Sequence, residues 1–154
     1  MNWILKKFDE LTLAELYTIL RLRCEIFIVE QVAYQDVDNA DQQAWHLFAL
    51  DEQGEAAAYL RIFPKGVVYD NAAAIGRVCV RMDHRRKGVA AEMLDTALRF
   101  MDEELKEPLI HISAQQYLTA FYESRGFVCH GEGYLEDGIP HIGMERTKII
   151  LSMQ

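Results

Sequence analysis

The chain has 154 residues, 51% hydrophobic and 26% charged, which suits one compact domain over 1–154 and excludes wholesale disorder. Sixteen basic against 24 acidic residues give a formal charge of −8, which argues against general nucleic-acid binding and suits a cationic small molecule or basic peptide as partner. No stretch approaches the ~18 apolar residues of a membrane span. Lys6 and Lys7 fall where an export signal would carry its apolar core. Cys24, Cys79 and Cys129 form no C-x-x-C pair and the five histidines no i, i+4 pair. Neither a disulfide framework nor a metal centre is therefore expected, and the protein reads as reduced and cytoplasmic.

Thr12 followed by Glu15 reads as a capping box that opens a first helix. Leu13, Leu16, Tyr17, Leu20, Cys24 and Phe27 then recur at helical spacing as one apolar stripe that fades near Glu30. Residues 31–43 are polar, carry Asp36, Asp38 and Asp41, and read as a surface loop or short helix. Trp45 to Leu50 and Glu55 to Phe63 form a hairpin across a turn at 51–54. Ala72 to Met82 is a third strand, and a helix follows from about Gly88 to Glu104. Leu109 to Ala114 is a short strand, and Gln116 to Ser124 a short helix closed by Gly126. Phe127 to His130, Gly133 to Leu135 and His141 to Ile149 read as closing strands, the last two joined at Asp137-Gly138. The strand–helix–strand unit in the middle needs a crossover, so its strands are expected to be parallel. The fold class is α/β (α+β): a mixed, mostly antiparallel sheet with one parallel unit and helices on both faces.

Four of the 16 basic residues, Arg81, Arg85, Arg86 and Lys87, fall within seven positions. They stand where a strand hands over to a helix N-terminus, whose first amides lack backbone partners and whose dipole is positive. Gly88 and Ala90 leave the amides of Lys87 to Ala90 open to an anion, with the cations around it. Taken by itself such a run also fits a solvated basic turn. It is neither a Walker A loop nor a G-x-G-x-x-G dinucleotide turn.

The run Arg85-Arg86-Lys87-Gly88-Val89-Ala90 resembles the [Q/R]-x-x-G-x-[G/A] motif of the GNAT family of N-acetyltransferases, behind a strand holding Val78 and Val80. Downstream, Phe121-Tyr122-Glu123-Ser124-Arg125-Gly126-Phe127 resembles the family's second signature, (L/F)-Y-x-x-x-G-F. Residues 22–31, 34–38 and 134–144 are similar to its ElaA-type members. The resemblance implies acetyl-coenzyme A as co-substrate. The main chain of Val78, Cys79 and Val80 would hold the pantetheine arm, and the amides of Arg85, Arg86, Lys87, Gly88, Val89 and Ala90 the pyrophosphate. Gln115 stands where many members carry a cofactor-touching Asn. Arg86 replaces a common Gly, and Tyr122 matches the general acid.

Acetyl transfer from a thioester to an amine requires a deprotonated amine, a stabilised oxyanion and a proton for the leaving thiolate. A strand amide near Cys79 or Val80 suits the oxyanion. The candidate acceptor-site residues are Glu30, Tyr34, Asp38, His46 and His141, and the candidate bases are Glu30, Asp36, Asp38, His46 and His141. The acidic segment from Glu30 to Asp41 suits an amine-bearing acceptor. Cys79 admits a rival acetyl-cysteine route, with no base beside it in sequence. Without catalysis, the same motifs describe a coenzyme A-binding module. The acceptor is a small-molecule or peptide amine, and a homodimer is left open.

Overall fold

The computed structural model describes residues Met1–Lys148. Seven strands join in the order β1-β2-β3-β4-β5-β7-β6. They are β1 (Ile4–Lys7), β2 (Trp45–Leu50), β3 (Ala56–Phe63), β4 (Ala73–Val80), β5 (Leu109–Gln115), β6 (Val128–Glu136) and β7 (Ile139–Thr147). The helices are α1 (Leu13–Arg23), α2 (Val89–Phe100) and α3 (Thr119–Glu123). The sheet is mixed, as expected, with β4 and β5 parallel through Ala73↔Ile110 and Ala74↔His111. Ile149, the predicted end of the closing strand, lies outside the described residues.

The described chain divides into two compact units, Met1–Phe63 with Ile75–Leu98, and Pro64–Ala74 with the described residues from Arg99 onward. In the first, β2 pairs antiparallel with β3 across the expected turn and also with β1. Strand β1 escapes sequence reading because Ile-Leu-Lys-Lys is too short to show alternation. Helix α1 opens on the predicted capping box: the Glu15 amide donates to Thr12 Oγ1 at 3.0 Å and the Thr12 amide to Glu15 Oε1 at 2.9 Å. It continues through a wider, i→i+5 bonded turn over Cys24–Val29, where the Glu30 amide reaches the Glu25 carbonyl at 3.0 Å.

The face of α1 that packs is the predicted one only in part: Phe27 lies half-buried against the core, and Leu16 and Leu20 are half-buried. Leu13 and Tyr17 are exposed, at 87% and 76%, and Cys24 is exposed as well. The buried positions are Ile19, Leu22, Arg23 and Ile26, clustered with Phe48, Ala56, Tyr59 and Cys79. This helix has two apolar stripes, and periodicity alone chose the longer one. The shorter stripe adjoins Arg23, whose buried partners make that face the inward one.

Those partners form the centre of the first unit. Fully buried Arg23 donates Nε to Asp36 Oδ2 at 2.9 Å and Nη1 to Asp41 Oδ1 at 2.8 Å. Arg61 donates to the same Asp41 oxygen at 2.8 Å and grips Asp38 with both terminal nitrogens, at 2.9 and 2.6 Å. Arg77 donates Nε to Asp36 Oδ1 at 2.9 Å. Residues 31–43 are mostly exposed and end in a short helical turn at Asp41–Gln43, as expected of a surface loop or short helix, yet Asp36 and Asp41 turn inward and are each only 5% exposed. That inward turn has an electrostatic cause. Buried carboxylates persist only when paired and hydrogen-bonded, and the arginines that pair them come from α1, β3 and β4.

In the second unit β5, β7 and β6 form an antiparallel ladder. The two segments predicted at 127–130 and 133–135 are one strand, β6, with a register shift between His130 and Tyr134. Gly131 there adopts φ +79°, a bulge that interrupts alternation without ending the strand. Tyr122 and Phe127 pack edge to face with ring centroids 5.8 Å apart.

Breaking the buried array should cost more than any surface change. Arg23→Met leaves two buried carboxylates short of a cation and should lower stability by about 3–5 kcal/mol in urea unfolding, whereas exposed Arg21→Ala should stay within about 0.5 kcal/mol. Burial opposes the charge of Asp41, but Arg23 and Arg61 outweigh it and hold the carboxyl below its usual range. Burial likewise keeps His46 neutral by lowering its pKa. Both shifts are downward, so the unfolded chain binds more protons and stability falls as pH falls. The His46 contribution should begin to disappear below about pH 6.5 and the carboxylate contribution below about pH 4. Urea midpoints from pH 8 to 3 check this, and His46→Gln should flatten the upper limb.

Candidate active site

At the strand-to-helix junction of the first unit, the chain leaves β4 at Val80 and turns through Met82–His84. It then takes left-handed φ values at Arg86 (+62°) and Gly88 (+76°), with Lys87 between them, before α2 begins at Val89. Left-handed residues flanking a right-handed or extended one turn successive N–H groups toward one side, the geometry of an anion-binding nest. The Glu92 amide makes the first helical bond, to the Gly88 carbonyl at 3.0 Å. The amides of Val89, Ala90 and Ala91 therefore precede the helical ladder. A Cβ built on Gly88 meets nothing within 4 Å. Its positive φ gives a conformational requirement for glycine beside the open approach to the amides expected from sequence.

The four cations do not act alike, which corrects the expectation that all surround an anion. Arg81 is held by Asp83 (2.8 Å), Asp51 (2.9 Å) and the Ala56 carbonyl (3.2 Å). Arg85 donates to the Val80 carbonyl at 2.7 Å and to Glu30 at 2.8 Å. These two shape the turn, while Arg86 and Lys87 are exposed. Among the described residues the β4–β5 ladder comprises only Ala73 and Ala74 of β4, so the peptides of Val78, Cys79 and Val80 lie beyond it. Cys79 is 5% exposed, and burial pushes its thiol pKa strongly upward. A thiol kept protonated is a poor nucleophile, which weighs against the acetyl-cysteine route.

The acidic segment does not offer free negative charge. Asp38, beyond its bonds to Arg61, lies 3.4 Å from Arg77, and the Arg61 hydrogen bonds hold its pKa well below the carboxylate range. Tyr34 donates to Asp36 Oδ1 at 2.7 Å and lies under the Arg77 guanidinium. Burial and that bond to Asp36 raise its phenol pKa. His46 is fully buried; its Nε2 faces the Asp41 carbonyl at 2.9 Å and must donate, which leaves Nδ1 to accept from Tyr59 at 2.6 Å. It therefore has no lone pair for a substrate. Glu30 is 2.8 Å from Arg85. The sequence-based reading of Asp36, Asp38 and His46 as bases, and of this segment as an amine attractor, yields to their internal partners.

In the second unit, Tyr122 is 6% exposed on α3, and burial, with a smaller effect of Tyr117, keeps its phenol protonated well above the ordinary range. Gln115 closes β5 opposite His141 in the β5–β7 register. His141 Nδ1 lies 2.7 Å from the Ile139 carbonyl, so this nitrogen carries the proton. Nε2 is left facing Glu136 Oε2 at 3.4 Å. Tyr134 stacks on the His141 ring and bonds Ser113 Oγ. His111 lies 4.3 Å from the Tyr69 ring centroid and 3.3 Å from Glu145. Sequence reading did not single out Tyr69, His111, Ser113, Tyr134 and Glu136 as site residues; strand register places the last four, and the connection between β3 and β4 brings Tyr69 against His111. Among the described residues, no group of three or more His, Cys, Asp or Glu could hold a metal ion.

The family model described as "Acetyltransferase (GNAT) domain" matches residues 14–148. The chain belongs to the GNAT acetyltransferase family. This GNAT protein is 35% identical to protein ElaA of Escherichia coli over 97% of its own length and 98% of that protein. It is 36% identical to a UPF0039 protein of Schizosaccharomyces pombe, over 94% and 95%. A crystal structure of an acyl-CoA N-acyltransferase from Pseudomonas aeruginosa superposes with TM-score 0.87 at 40% identity, covering 96% of this chain and 100% of that one. Family and fold make the protein an acyltransferase of the GNAT type. Among its described residues no helix is long and apolar enough to cross a membrane.

The thiol environments can be checked directly. A thiol reagent should label Cys24 and Cys129 in the native protein and reach Cys79 only after unfolding, as read by intact-mass spectrometry.

Proposed function

We propose that the protein transfers the acetyl group of acetyl-coenzyme A to a primary amine by direct attack. The observation that carries this reading is the paired left-handed turn at Arg86 and Gly88, set at the N-terminus of α2. It supports binding of the donor's pyrophosphate by the amides from Arg85 to Ala90, with Arg86 and Lys87 as the available cations. The main-chain groups of Val78, Cys79 and Val80 would take the pantetheine arm, an amide there would take the developing oxyanion, and Gln115 would add a side-chain contact.

In the reaction the amine nitrogen bonds to the thioester carbonyl carbon, and the carbon–sulfur bond then breaks. Tyr122 supplies the proton to sulfur. A buried phenol gives up a proton reluctantly, so donation accompanies sulfur departure instead of preceding it. His141 takes the amine proton. The tautomer set by the Ile139 carbonyl leaves the Nε2 lone pair for this task, and Glu136 stabilises the resulting imidazolium. With cytoplasmic acetyl-coenzyme A as donor, the reaction needs no metal.

Titration calorimetry should detect acetyl-coenzyme A at sub-millimolar concentration, and failure there removes the donor assignment. Tyr122→Phe and His141→Gln should each lower kcat by about 10²-fold or more while leaving donor affinity nearly unchanged. Thiol release with a panel of amines is the decisive readout. Donor binding with no release for any amine would instead favour a coenzyme A-binding module.

A further inference from the structure

Arg77 is a non-glycine residue inside strand β4 with φ +53°, a left-handed conformation in an element that is otherwise extended. A side chain with a Cβ holds that conformation only when its surroundings impose it. The surroundings here are specific. Arg77 Nε donates to Asp36 Oδ1 at 2.9 Å and Nη2 to the Asp36 carbonyl at 3.1 Å. A longer contact, 3.4 Å, reaches Asp38. The guanidinium lies 5.3 Å from the ring centroid of Tyr34, which itself donates to Asp36 at 2.7 Å. Asp36 and Asp38 are anchored independently, by Arg23 and Arg61, so the clamp is rigid before Arg77 reaches it.

We infer that the Tyr34–Asp38 segment is a positioning device: by gripping Arg77 it bends β4 one residue ahead of Val78 and so aims the peptide groups of Val78, Cys79 and Val80. Tyr34, Asp36 and Asp38 thereby act on the donor through Arg77, not on the acceptor, where sequence reading placed Tyr34 and Asp38. The inference rests on the proposal that those peptides hold the pantetheine arm. Its physical content is that the bend is what matters and the ion pairs are its means.

Comparing Arg77→Ala with Arg77→Gly separates bend from charge. Both lose the same ion pairs, and Asp36 and Asp38 keep Arg23 and Arg61, so both should fold with similar melting temperatures. Alanine disfavours the left-handed φ and glycine accepts it. Acetyl-coenzyme A affinity should fall about tenfold or more in Arg77→Ala and stay within about threefold of the parent in Arg77→Gly. Amide exchange at Val78, Cys79 and Val80 should quicken in the alanine variant and change much less in the glycine variant. Undiminished affinity in Arg77→Ala would overturn the clamp. Unchanged exchange in Arg77→Ala would overturn it too, even if the parent fails to bind acetyl-coenzyme A. That binding failure alone would remove the donor assignment instead.

Discussion

The first unit is organised around three arginines and three aspartates, with Arg23, Arg61, Asp36 and Asp41 buried and Arg77 and Asp38 at the array's solvent edge. Arg23, Arg61 and Arg77 come from α1, β3 and β4, while Asp36, Asp38 and Asp41 come from one irregular segment. A carboxylate or guanidinium taken from water is costly unless each lone pair and each N–H finds a partner. Here most do: Asp36 takes Tyr34, Arg23 and Arg77 on its two oxygens, and Asp41 takes both Arg23 and Arg61. The array therefore converts a stretch with no periodicity of its own into a fixed part of the unit. Each guanidinium also lies against an aromatic ring, Arg23 on Tyr59, Arg61 on Phe63 and Arg77 on Tyr34.

That array changes how charge on this protein is read. A net charge of −8 invites the idea of an acidic loop that attracts amines. Three of the carboxylates that suggested it are neutralised at hydrogen-bond distance. The basic run is divided in the same way, since Arg81 and Arg85 are committed to the turn they shape. Counting charges along a chain measures supply, and only pairing in space decides what is left for a ligand.

Much of the architecture was legible in the sequence because it is locally encoded. The Thr12–Glu15 cap, the hairpin across residues 51–54 and the Gly126 terminus each depend on neighbours a few positions away, and the parallel pairing of β4 with β5 follows from the local strand–helix–strand order although the paired residues lie 37 positions apart. The glycine-bearing turn before α2 was legible for the same reason. Features that depend on distant residues were not. The inward face of α1 was set by Arg23, whose partners lie 13 and 18 positions on. Strand β6 passed for two segments because a bulge hid its continuity.

The sequence by itself determined the order of elements, the mixed sheet and membership of the GNAT family, because periodicity, caps and short motifs are properties of contiguous residues. Tertiary structure alone decided which titratable groups are available. It buried His46 with both nitrogens engaged, kept Cys79 a thiol, and set His141 Nδ1 on the Ile139 carbonyl with Nε2 toward Glu136. The reason is physical: protonation and access depend on desolvation and on hydrogen-bond partners from elsewhere in the chain, and no local pattern records either.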